Sequence, residues 1–255
     1  MAEQDHSNGN GKGPDKTYAT VYSRSFLSIF YDYYVLGFNM KYIWGCPATT
    51  ILLPFFAENF SRRHLDIGVA TGYFPAAALA QPFRKDSKQE LTLVDINPNP
   101  LNATKARVLS VTTKTTVETV LADVTEPLPK ELQDAKFDSI SAFNLFHCMP
   151  GGPAKLAAIS TLRDALSDHG VLSGCTVLGP AHATGPLSRF YLRWYNKWWG
   201  VFNNWDDRRE DFEEALRRDF EDVETWVIGL TLLFRATKPR RGDSGVLINL
   251  GTETV

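Results

Sequence analysis

The stretch LDIGVATGYF, residues 65–74, decides how this chain folds. A short apolar run ends in an acidic side chain, Asp66, after which Gly68, Ala70 and Gly72 follow at two-residue steps. Glycine lets a backbone turn where a Cβ would collide. It also lets a ligand approach the first turn of the next helix, whose unpaired N–H groups attract a carboxylate or phosphate. The string therefore reads as strand, ligand-binding turn and helix start. A dinucleotide fingerprint, GxGxxG, would put its third glycine at position 73; Tyr73 stands there instead and the glycine comes one residue earlier, which disfavours NAD. An incidental glycine-rich turn is the plain alternative, and the residues downstream decide between the two.

After this turn, short apolar runs alternate with longer helical ones. LTLVDI (91–96) predicts a strand, 101–110 a helix, TVETVLADV (116–124) and KFDSISAFNLF (136–146) two more strands. Residues 155–167 predict a helix stopped at Gly170, and VLSGCTVLG (171–179) a further strand. Strands separated by helices imply an α/β fold, a doubly wound, mostly parallel sheet covered on both faces. An aromatic helix (188–202), a charged one (206–218) and two terminal runs, VETWVIG and LTLLFRATK, bring the expected sheet to seven strands. Upstream, Tyr18 to Trp44 repeats aromatic and aliphatic residues at three- and four-residue steps, as amphipathic helices do, and Pro47 can open another helix. One domain over 17–238 is expected. A polar tail at 1–16 has too little apolar surface to order itself, and a C-terminal tail spans 239–255.

The acidic strand end recurs. Asp95 closes the second strand 23 residues after Gly72, near the ~20-residue interval at which a carboxylate meets a ribose diol in nucleotide-binding sheets. Asp123, in LADV, closes the third. Each alone could be a turn residue, but Asp66, Asp95 and Asp123 at three successive strand ends form a series that chance supplies far less readily.

With that series the chain resembles the class I S-adenosylmethionine-dependent methyltransferases, whose first motif is an acidic residue and GxGxG after the first strand; Ala70 replaces the middle glycine. The resemblance covers Tyr18 to Lys238. FNLFHCMPGG (143–152) is similar to a pattern in a subset of small methyltransferases, and YDYYVLGFNMKYIWGCP (31–47) to the N-terminal helical lid of that subset. It implies S-adenosylmethionine as cofactor, with Asp66 toward its ammonium, Gly68, Ala70 and Gly72 admitting its amino-acid end, Asp95 and Ile96 at the ribose, Asp123 and Val124 at the adenine, and Asn144 beside the methionine part. It implies an acceptor pocket among Tyr22, Tyr33, Trp44, His147 and Trp194.

Methyl transfer asks the protein mainly to align donor and acceptor, because the sulfonium carries the driving force. A phenol, enol or carboxylate can arrive ionised; an alcohol would need a base. His147 is the candidate base, with a structural hydrogen-bonding role as its alternative, while His64 and His169 read as structural. The Asn/Asp-Pro-Pro-aromatic string of many amino-group methyltransferases is absent after the fourth strand, as is the magnesium set of catechol-type enzymes. A small hydrophobic acceptor, methylated at oxygen in secondary metabolism, is the resulting expectation. Two other readings stay open: a methyltransferase-like fold repurposed as a cyclase or pericyclase, and a non-catalytic partner subunit.

Two charged or aromatic stretches carry alternatives. In 188–202, Phe190, Trp194 and Trp198 recur at four-residue steps beside a ridge of Arg189, Arg193 and Lys197. That helix reads first as pocket wall, then as core or homodimer contact, then as a membrane-surface face. Residues 206–224 hold ten acidic and four basic side chains and read as a solvated face.

Composition bounds the rest. With 44% hydrophobic and 22% charged residues, collagen-like, mucin-like and wholly disordered classes are excluded. Twenty-seven basic against 29 acidic side chains leave no excess for neutralising phosphates, so nucleic acid is not an expected partner. No apolar run approaches the ~20 residues a bilayer requires, and no apolar segment follows the polar N-terminus, so a cytosolic protein is expected. The three cysteines and five histidines show neither disulfide nor metal spacing, and no metal is expected.

Overall fold

A computed structural model describes residues 31–84 and 87–241. Helix α1 (Tyr31–Ile43) is wound throughout with the wider, five-residue hydrogen bonding of a π-helix, and Ala48–Leu52 leads into α2 (Leu53–Glu58). Then come β1 (Arg63–Ile67), α3 (Tyr73–Leu79), β2 (Gln89–Asp95), α4 (Pro98–Val111) and β3 (Thr115–Leu121). The chain continues through α5 (Lys130–Ala135), β4 (Phe137–Phe143), α6 (Ala157–Ala165) and β5 (Leu166–Val177). It finishes with α7 (Pro186–Arg193), α8 (Arg209–Asp219), β6 (Phe220–Ile228) and β7 (Thr231–Pro239).

The seven strands form one sheet in the order β3-β2-β1-β4-β5-β7-β6. The first five pair in parallel and β7 runs antiparallel to both of its neighbours. From β1 the chain winds outward to β2 and β3, then crosses back to β4. That reversal places a crevice beyond the carboxyl ends of β1 and β4, where doubly wound sheets take their ligands. The inner strands are buried on both faces: Leu65 and Ile140 share one, while Leu93 shares the other with the buried polar residues Asp66 and Ser141.

Several boundaries differ from expectation. β3 stops at Leu121, leaving Asp123 and Val124 in the following turn. The helix expected to run to Ser167 ends at Ala165, and β5 begins at once at Leu166. Its register against β4 then jumps, from Phe137 opposite Leu166 to Ser139 opposite Val171, so the intervening residues loop out and Gly170 sits in a bulge instead of ending a helix. A side chain there would strike the Phe137 carbonyl, 2.9 Å from an ideal Cβ. The aromatic helix gives way after Arg193 to one wider turn, Trp194–Trp198.

The acidic segment is not simply a solvated face. Asp207 and Asp219 are buried. The Lys155 ammonium donates to Asp207 at 2.6 Å and to the Asn203 carbonyl at 3.0 Å, and Arg163 donates to Asp219 at 2.7 Å. Among the described residues, no helix is long and apolar enough to cross a membrane.

Candidate active site

The glycine turn leaves β1 in a conformation that few side chains tolerate. Gly68, Ala70 and Gly72 all have positive φ, at 70°, 46° and 69°. The Gly68 N–H donates to the Val94 carbonyl and the Gly72 N–H to that of Val69, both at 2.9 Å. A Cβ on Gly72 would lie 2.9 Å from the Thr104 Cα, and one on Gly68 would lie 2.8 Å from the Leu145 side chain. The turn is thus packed from behind, and its glycines serve close approach.

Two carboxyl groups stand behind it. Asp66 is buried and accepts a short hydrogen bond from the Ser141 hydroxyl. Ser141 in turn sits 2.8 Å from His64 Nε2, while His64 Nδ1 lies 2.6 Å from the Ser139 hydroxyl, which accepts from the Ser61 N–H. Burial lowers the His64 pKa to about 3, so the ring is neutral and links Asp66 to the rear of the sheet. Burial also raises Asp66 to about 7; the Ser141 bond opposes the rise and the Asp95 charge adds to it. Asp95, at the end of β2, is raised to about 7 by burial, against backbone N–H bonds from Asn97, Val69 and Ile96. Both are carboxyl groups held up by burial at the crevice, which fits a ligand bringing hydroxyl and ammonium donors.

The remaining expected cofactor residues are arranged unevenly. Ile96 is exposed beside Asp95. The β3 end is tied to the β2 end by the Ala122 N–H, which donates to the Asp95 carbonyl at 3.1 Å. Asp123 is exposed, and its Oδ1 accepts from the Thr125 N–H at 2.9 Å and the Thr125 hydroxyl at 2.6 Å. Val124 is buried beside it. Asn144 follows β4 at φ +57°, receives the Cys175 thiol at 3.5 Å, and donates its backbone N–H to the Cys175 carbonyl at 2.8 Å.

Two adjoining hollows open at the crevice. One follows the glycine turn from Asp66 to Tyr73, beside Phe143 and Asn144. The other has aromatic and aliphatic walls from Trp44, Tyr195, Trp199 and Phe202, with His147 and Asn39 among them. Tyr31 and Asn144 line both. α1 is clamped over the turn: Asp32 receives the Thr71 hydroxyl and the Arg107 guanidinium, each at 2.6 Å.

His147 is buried, and its Nδ1 accepts the Val177 backbone N–H at 3.2 Å. That bond leaves the ring proton on Nε2. Burial, aided by the Lys155 charge, lowers its pKa to about 3, so it is a neutral donor. This geometry opposes the general-base reading, because the nitrogen able to accept is already occupied.

The expected acceptor pocket is corrected at several positions. Trp44 lines the aromatic hollow. Tyr33 is 82% exposed and lines neither hollow; Tyr31, two residues earlier, does. Trp194 is 40% exposed, and Tyr195 next to it forms the wall. Tyr22 lies outside the described residues, as do the polar tail and most of the C-terminal one. Sequence reasoning missed Asn39 and Val177, and the Asp32–Arg107 clamp. Asn39 alone offered a signal, as a polar residue inside an otherwise apolar run.

Comparison with known proteins bears on the same region. A family described as the methyltransferase domain matches residues 65–172. The O-methyltransferase NEC2 of Pyricularia oryzae is 56% identical, over 91% of this chain and 96% of its own length. The physcion biosynthesis cluster O-methyltransferase of Aspergillus chevalieri is 37% identical, over 89% and 97%. Among solved structures, the N-methyltransferase NodS of Bradyrhizobium japonicum, in complex with S-adenosyl-L-homocysteine, superposes with a TM-score of 0.58 at 14% identity, over 89% of this chain and 100% of that one.

Proposed function

The chain belongs to the S-adenosylmethionine-dependent methyltransferase family, and on that premise we propose that it methylates an acidic hydroxyl, a phenol or enol, on a small hydrophobic molecule of secondary metabolism. S-adenosylmethionine is its methyl donor and, when bound, supplies an electrophilic methyl group on a sulfonium. The observation that carries this reading is the shared wall: Tyr31 and Asn144 border both the glycine-turn hollow and the aromatic one. A donor held along the turn and an acceptor held among the aromatic rings would meet there, at the distance alignment requires.

In this reading Asp66 receives the donor's ammonium, Gly68, Ala70 and Gly72 admit its amino-acid end, and Asp95 accepts the ribose hydroxyls. Ile96, Asp123 and Val124 border the adenine, and Asn144 borders the sulfonium. Tyr31 and Trp44 flank the acceptor. His147 acts as a donor: its Nε2–H steadies an acceptor oxygen that has already lost its proton to water. No carboxylate, lysine or arginine lines the aromatic hollow among the described residues, which favours an acceptor acidic enough to enter ionised. The enzyme works in the cytosol, and a homodimer is compatible with this arrangement.

The test is product formation with a panel of phenols, enols and aliphatic alcohols. The expected result is S-adenosylhomocysteine and methyl ether in equal amounts from the acidic hydroxyls alone. Turnover of an acceptor without S-adenosylhomocysteine would point instead to the cyclase reading. Equal turnover of alcohols would contradict the base-free pocket.

A further inference from the structure

Asn39 is 1% exposed, faces the aromatic hollow from α1, and is only half satisfied. Its amide N–H donates to the Tyr195 hydroxyl at 2.6 Å, a bond between residues 156 apart in sequence. Its carbonyl oxygen, Oδ1, has no partner. A buried acceptor without a donor is costly, and native proteins tend to keep one where a ligand completes it. Turning the amide does not relieve it, since Oδ1 would then accept from the Tyr195 hydroxyl and the N–H₂ would be left bare instead; the Tyr195 ring is itself held, stacked on Phe202 at 4.6 Å and tilted against Trp44 at 5.9 Å. In either setting one polar atom of the Asn39 amide is left unpaired on a residue that lines an apolar cavity, and a hydroxyl, which donates and accepts, can pair with it.

The same cavity presents a second polar point at His147, where the Val177 N–H on Nδ1 leaves Nε2–H as a donor. A complementary molecule carries an oxygen for His147 and a separate O–H for Asn39. Resting on the methyltransferase reading of this site, we infer that Asn39 is a specificity-determining residue that receives a second hydroxyl of the acceptor, one retained in the product. The substrate class is then a flat conjugated ring system with at least two oxygen substituents, of which one is an unmethylated hydroxyl. A cavity built to pair a hydroxyl rejects the analogue lacking it, because the protein's own polar atom is left buried and bare.

The experiment measures calorimetric binding of naphthalene-1,3-diol and 1,3-dimethoxynaphthalene to the full chain saturated with S-adenosylhomocysteine. Wild type is expected to favour the diol by at least ~10-fold. Asn39→Leu, close in volume and without a carbonyl, should bring the two probes to near-equal affinity through loss of diol binding, with S-adenosylhomocysteine affinity unchanged. Tyr195→Phe frees the amide to rotate while keeping the ring, and should erode the preference part of the way, which guards against a folding defect in Asn39→Leu. A preference that survives in Asn39→Leu, or a wild type that holds S-adenosylhomocysteine yet shows no diol preference, overturns the assignment alone. Failure of wild type to hold S-adenosylhomocysteine overturns the methyltransferase reading, and this assignment with it.

Discussion

The Val177 backbone nitrogen lies 3.2 Å from His147 Nδ1 and donates to it, which leaves Nε2 as the donor of a ring that lines the aromatic hollow. The bond comes from the last residue of β5 and reaches the turn that follows β4. The neighbouring parallel strands thus decide the tautomer of a side chain that the sequence leaves open between a base and a structural hydrogen-bonder.

His147→Gln keeps a donor and should retain activity to within about 10-fold, whereas His147→Ala should lose more, as removal of a donor from a charge-stabilising site does. Because the folded-state pKa of His147 is lowered to about 3, the wild-type pH–rate profile should follow the acidity of the acceptor and show no imidazole inflection. Profiles measured with two phenols of different acidity check this. An inflection that stays put when the phenol changes and vanishes in His147→Gln would restore the base.

Asp66 and Asp95 are raised from 3.8 to about 7 by burial. Between those values the folded chain holds more protons than the unfolded one, so ligand-free stability falls as pH rises through that interval. The charged carboxylates are the forms that pair with ammonium and hydroxyl groups. S-adenosylhomocysteine should therefore bind several-fold more tightly at pH 8 than at pH 6, with part of that dependence gone in Asp95→Asn. Affinity that stays flat across the range would place both carboxyls outside the site.

Gly72→Ala should destabilise the fold by about 1–3 kcal/mol, since φ is +69° and the new methyl meets Thr104. It should weaken cofactor binding as well, because the turn must move. Gly185→Ala is the control, with nothing within 4 Å and an extended backbone. Urea titration of the two separates them.

Lys155 and Asp207 are both buried, 2.6 Å apart, and pin the stretch that also reaches the His147 turn, where the Asn203 N–H donates to the His147 carbonyl at 2.7 Å. Lys155→Met leaves a buried carboxylate bare and should cost about 3–5 kcal/mol, whereas Lys155→Met with Asp207→Leu should recover much of it. Denaturant midpoints of the single and double variants report the difference.

The sheet was legible because its strands are short, apolar and punctuated, and the glycine turn because Asp66, Gly68 and Gly72 each answer a distinct backbone or ligand demand. The facing of aromatic residues was not. In α1 the five-residue winding puts Tyr31 and Leu36 on the buried side, a spacing that a search at three and four residues assigns to different faces. In 188–202 the aromatic residues come in adjacent pairs, 190/191, 194/195 and 198/199, so the phase that buries Tyr195 and exposes Trp194 leaves no trace in composition. Asn39 and Val177 join the site through tertiary packing, which no local pattern encodes. The Asp207 pair with Lys155 was hidden likewise, inside a run whose charge reads as solvated.

The central claim, that the acidic strand ends and glycine turn hold S-adenosylmethionine, is tested most directly by calorimetric titration of S-adenosylmethionine and S-adenosylhomocysteine into wild type and Asp95→Ala. Wild type should bind both, and Asp95→Ala should bind at least ~10-fold more weakly, the loss of a charge-assisted hydrogen-bond pair. No binding to wild type, or equal binding to Asp95→Ala, would contradict the account.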